Sequence, residues 1–166
     1  MLKPYVCVAC EKVIMDHQPE MPTGQVGPAS LINLFSKMIG QLAPGSTEVP
    51  KNAVVPKEWV VYSAWDIEPG DEKKEYMLCT QMLYPDKTPF GETYRVKINM
   101  APAKRSQMTI RFQGFPVGQP GFYTVQTWIE ENSKQVVAPI EFRIELEMKP
   151  MEPLNQPTNE KGSDTA

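Results

Sequence analysis

"VVAPIEFRIELEM", residues 136–148, alternates with a period of two. Val136, Ala138, Ile140, Phe142, Ile144, Leu146 and Met148 fall on one side, and Glu141, Arg143, Glu145 and Glu147 on the other. Successive side chains of a strand point to opposite faces, so the pattern predicts an antiparallel strand with one buried and one wet face. The same reading carries outward. "YRVKINM" (94–100) sets Tyr94, Val96, Ile98 and Met100 inward against Arg95, Lys97 and Asn99. "MTIRF" (108–112) sets Met108, Ile110 and Phe112 against Thr109, Arg111 and the following Gln113. "EWVVYSAWDI" (58–67) is apolar on both faces, which suits a strand in the middle of a sheet. "EYMLCTQMLY" (75–84) and "YVCVACEKVI" (5–14) supply further strands.

Turn signals separate these runs: Pro69-Gly70-Asp71, Pro85-Asp86-Lys87, Pro89-Phe90-Gly91, Pro102-Ala103-Lys104, Pro120-Gly121 and Asn132-Ser133. Short strands at such spacing predict an all-β sandwich or barrel, and the lack of alternating helices argues against a parallel α/β sheet. One segment reads two ways. In "GPASLINLFSKMIGQLAPG" (27–45), Leu31, Leu34, Phe35, Met38, Ile39 and Leu42 recur at helical spacing, and Ser30 could cap a helix. Its first half, "ASLINLF", serves equally well as a buried strand. Residues 43–57, with three prolines, form a long connection. From Pro150 the periodicity ends, so the chain divides into a domain at 1–149 and a disordered tail at 150–166.

The 166 residues are enough for one domain to bury roughly two-thirds of its unfolded surface without disulfide or metal. A net charge of −3 and only four scattered arginines exclude the basic face of a nucleic-acid binder. Lys104-Arg105 is the one mixed basic pair and reads as a solvated turn. No stretch approaches the ~20 apolar residues of a membrane helix, and the first residues lack a signal-peptide pattern. The expectation is a cytoplasmic protein that contacts neither membrane nor nucleic acid.

Cys7 and Cys10 form a C-x-x-C, with Cys79 as the third cysteine. Three residues apart on a strand, Cys7 and Cys10 point to opposite faces, a poor geometry for one zinc or one disulfide. Small buried or half-buried thiols are expected, with no metal and no cofactor. His17, the sole histidine, sits beside Asp16 in a turn-like "DHQPE" and reads as solvent-exposed. Glu68, Asp71, Glu72, Glu130 and Glu131 lie in turns, where carboxylates ordinarily solvate the surface, and no calcium-loop spacing joins them. No nucleophile elbow, phosphate loop, dinucleotide fingerprint or zinc-protease motif is present. The chain is therefore not expected to be an enzyme.

Taken in order, "ACEKVIMDHQ", "SLINLFSKM", "VVPKEWVVYSAW", "MLYPDKTPF" and "GFPVGQPGFYTVQTWI" resemble a bacterial family of small uncharacterised proteins, a domain of unknown function. The resemblance covers about residues 5–146 and carries no catalytic motif. It implies an antiparallel immunoglobulin-like β-sandwich of about seven to eight strands. It also implies a strand at about 29–36, with a short helix near 33–42 still open. In such a sandwich a tyrosine entering a late strand bonds back across the preceding corner. Pro120, Gly121 and Tyr123 fit that structural corner, with Tyr123, Val125, Thr127 and Ile129 on the inner face. Phe122 and Trp128 then point outward, where they are either covered by a neighbouring loop or, as the candidate interaction residues, form a binding patch. The expected function is a non-enzymatic protein-interaction or structural module whose partner is another protein. The alternative is small-molecule or carbohydrate binding through surface aromatics, with Trp59, Trp65 or Trp128 as stacking platforms.

Overall fold

The computed structural model describes residues 2–15, 29–42, 45–46, 48–70, 74–98 and 105–150. Nine strands lie among them: β1 (Lys3–Met15), β2 (Ala29–Leu34), β3 (Lys37–Leu42), β4 (Val54–Asp66), β5 (Tyr76–Leu83), β6 (Pro89–Ile98), β7 (Arg105–Pro116), β8 (Gly121–Glu131) and β9 (Lys134–Pro150). They build two sheets, ordered β2-β1-β4-β7 and β3-β9-β8-β5-β6. All pairings are antiparallel except one: β3 runs parallel to β9, from Lys37 beside Glu145 to Leu42 beside Pro150. Among the described residues no helix is long and apolar enough to cross a membrane.

The inward residues of both sheets share one core. Trp59, Val61 and Trp65 of β4 and Ile110 and Phe115 of β7 meet Leu78 of β5, Tyr123, Val125 and Ile129 of β8, and Ile144 and Leu146 of β9. Each aliphatic or aromatic side chain so buried contributes about 1.5–3 kcal/mol relative to exposure. An unbroken run of rings threads this core. Phe35 meets Trp59 edge-on, Trp59 stacks on Phe112 at 4.5 Å, and Phe115 touches both Trp59 and Tyr123. Tyr84 then links Tyr123 to Phe90. The doubly apolar run of β4 is explained by its central place. Its other face joins a second buried cluster of Cys10, Val60, Tyr62 and Ala64, against which Val6, Val8, Val13, Ala29 and Leu31 pack.

Several expectations are corrected. Among the described residues there are nine strands rather than seven to eight, and the parallel β3–β9 pair makes the larger sheet mixed rather than antiparallel. The helix near 33–42 is absent, and the strand expected over 29–36 ends at Leu34. Asn33 takes a left-handed φ of 53°, and the chain then leaves one sheet for the other. The Phe35 amide donates to the Ala9 carbonyl, and the Ser36 carbonyl accepts from Glu145 N. That crossover switches the buried face, which is why two short strands imitate a helical period. Tyr94 shares a face with Thr80 across the ladder, yet it is 49% exposed because β6 is a sheet edge. In β9, register shifts opposite Thr127–Glu130 insert extra residues, so Val137 is buried and Ala138 exposed. The tail expected from 150 onward lies, beyond Pro150 itself, outside the described residues.

Candidate functional site

β1 follows β4 only as far as Cys10, which pairs with Val60. From there β1 continues with β2 alone, Lys12 opposite Ile32 and Met15 opposite Ala29. The sequence of β4 gives the reason. Pro56 has no amide hydrogen, and proline within a sheet is confined to edges and bulges. Pro56 and Lys57 together stand opposite Gly114, a bulge that gives Gly114 a φ of 103°. A Cβ there would lie 2.6 Å from Val54 Cγ1. Trp59 closes the bulge, its indole N–H donating to the Gly114 carbonyl at 3.1 Å. The first half of β4 is thus unsuited to receive β1, and the two strands part.

Where they part lies a cleft of about 360 Å³. Glu11 to Val13 and Met15 of β1 form one wall, Glu58 to Val60 of β4 the floor, and Thr109 and Arg111 to Gln113 of β7 the far side. Its volume falls in the range of small-ligand and peptide pockets. At its mouth Glu11 accepts from Lys57 Nζ and from Asn33 Nδ2, both at 2.8 Å. These bonds, the Lys57 one foremost, hold the Glu11 carboxyl below its usual range. Lys12 and Arg111 are exposed, and among the described residues neither has an ion-pair partner. The β1–β2 ribbon has two unlike faces. Val13, Ala29 and Leu31 pack on the second cluster, whereas Ile14, Ile32 and Leu34 are exposed, Leu34 by 59%.

The residues singled out from sequence sit elsewhere, on β8 and the corner before it. Tyr123 is fully buried, and its hydroxyl accepts from the Gln119 amide at 3.3 Å. Gly121 has a φ of 126° and packs near Pro85, while Pro120 is exposed. Asp86 ties the neighbouring turn to the corner, accepting from Thr88 and from Gln119 Nε2, and these bonds hold its carboxyl low. Phe122 is 55% exposed, whereas Trp128 is half-buried and donates through Nε1 to Glu130. The two share a face but lie about 20 Å apart along the strand, with Thr124 and Gln126 between them, so they form no single patch. Trp59 and Trp65 are core residues, their ring faces occupied from within.

The thiols divide between the clusters: Cys7 packs on the main core and Cys10 belongs to the second. All three are free. Burial pushes Cys7 and Cys79 up to about 11 and raises Cys10, which leaves little thiolate at neutral pH. Among the described residues no three His, Cys, Asp or Glu side chains converge to hold a metal ion. His17, Asp16, Asp71, Glu72 and Lys104 lie outside the described residues. Sequence reading missed the ribbon and its cleft, although Pro56 inside an apolar run was their signal. No protein-family model matches the chain, and no curated protein matches it.

Proposed function

We propose that this chain is a non-enzymatic interaction module of immunoglobulin-like architecture, and that its partner protein binds the exposed face of the β1–β2 ribbon. Two features support the architecture. An early strand, β1, pairs with β4 in one sheet, while β3 crosses to run parallel to the last strand of the other. A buried tyrosine at the head of β8 bonds the backbone four residues upstream, as in the corner of many such sandwiches.

The observation that carries the function is the run of Ile14, Ile32 and Leu34, three large aliphatic side chains exposed together on paired strands. Single exposed apolar residues are ordinary, but a contiguous set on a solvent-facing ribbon marks a contact surface. Affinity capture from the native cell, with wild-type protein beside Leu34→Ser and Ile32→Thr, tests the reading. Both variants are expected to keep stability within about 0.5 kcal/mol, since the side chains lie outside the core. A partner retained by wild type and lost by both variants is the expected result. Identical captures from all three proteins would reject the ribbon as the interface.

A further inference from the structure

The parting of β1 from β4 leaves more than a cavity. Beyond Cys10, the side of β1 away from β2 has no strand beside it among the described residues. Every second residue of Glu11–Met15 therefore turns its backbone N–H and C=O toward the cleft. An unpaired strand edge is a template for another strand, and natural sheets ordinarily blunt or cover such edges. Here the edge lies within a sheet rather than at its margin, and it borders a cleft with room for a ligand. Beyond Glu58, β4 is bulged at Pro56–Lys57, and Pro56 has no amide hydrogen to offer a strand. The charges add direction. Lys12 stands on the receiving strand and Arg111 on the far side, both exposed and neither engaged in an ion pair among the described residues. Glu11 is already matched by Lys57 and Asn33, which leaves Glu58, among the described residues, as the one unmatched carboxylate lining the cleft.

We infer that the cleft receives an extended acidic peptide segment of a partner protein, which adds as a strand to the Glu11–Met15 edge of β1 and sets a carboxylate against Arg111. This rests on the interaction reading above and names the chemistry of the segment. Main-chain bonds would hold the segment in strand addition, and the guanidinium–carboxylate contact would select an acidic side chain. The exposed Lys57–Glu11 bridge across the mouth is a weak tie that an incoming carboxylate can compete for.

The test is titration of the full chain with three blocked hexapeptides. One alternates valine and glutamate, one alternates valine and lysine, and one is the acidic peptide with two central prolines. Binding is read by Trp fluorescence and by amide chemical shifts. The acidic peptide should bind and shift the amides of Glu11–Met15, and the lysine and proline peptides should fail. Arg111→Gln should weaken the acidic peptide roughly tenfold, as loss of a charge-assisted contact does. Because Arg111 is exposed, an unchanged urea midpoint checks that the variant is folded. No binding of the acidic peptide at low salt overturns the inference. So does equal binding of the lysine peptide, equal binding of the proline peptide, or indifference to Arg111→Gln. Capture that depends on Leu34 without peptide binding would reject this site and leave the module reading intact; the converse result would reject the ribbon face alone.

Discussion

The ring and the hydroxyl of Tyr123 have different partners. The ring packs between Phe115 and Tyr84, and the hydroxyl takes the hydrogen of the Gln119 amide. Tyr123→Phe keeps the ring and leaves the part-buried Gln119 amide without its acceptor, so it should cost about 1 kcal/mol. Tyr123→Ala also opens a cavity and should cost about 3–5 kcal/mol. Phe122→Ala, at an exposed neighbour on the same strand, should stay within about 0.5 kcal/mol. Urea melts of the three variants give the order, and a neutral Tyr123→Phe would remove the hydroxyl from the account. The thiols predict an alkaline limb. Burial raises Cys7 and Cys79 from 9.0 to about 11, so between these values the native state holds protons that the unfolded chain has released. Their contribution to stability is complete below pH 9.0 and falls away as pH rises to about 11. Urea midpoints across that window should decline, and less steeply in Cys79→Ala.

Among the elements, those with strict alternation were legible in the sequence. β7 and the second half of β9 bury the side that their pattern names, because each lies on a regular ladder with one face to the core. β4 was legible as central because both faces are apolar. The face of β9 before Pro139 was not legible, since a bulge shifts every side chain after it and leaves no mark in hydrophobicity. The strands of 29–42 were hidden for a related reason, a change of sheet between them. The candidate site was less legible still. It depends on where β1 stops following β4, and that is decided by a proline and a glycine far apart in sequence. Another distant pair sets the lower end of the fold. Gly118 approaches Lys51 so closely that a Cβ would sit 1.9 Å from its carbonyl oxygen, beside the bond from Val117 N to Ala53 O. Backbone cannot yield as a side-chain tip can, so Gly118→Ala should cost about 3 kcal/mol by thermal or chemical melting. A neutral outcome would mean that the 48–53 connection is free to move away.

For the whole molecule, the two buried clusters and the shared β1–β4 ladder make one cooperative unit, and a single unfolding transition is expected by fluorescence and by circular dichroism. Two separated transitions would show the β1–β2 ribbon melting by itself. The parallel β3–β9 pair has a further bearing, on the order in which the chain can fold as it is made. β3 needs Glu145 to Pro150 for its ladder, so the segment waits for the last strand while most of the chain is synthesised. During that wait its exposed backbone and Ile39 are open to other chains, whereas the β5–β6 and β8–β9 hairpins need only near neighbours. Contacts of such long range are formed slowly, because loop closure must precede any gain from them. Ribosome-bound chains halted before Glu145 should therefore hold the β5–β6 hairpin but remain sensitive to protease at Lys37–Leu42, with protection arriving only once β9 has emerged.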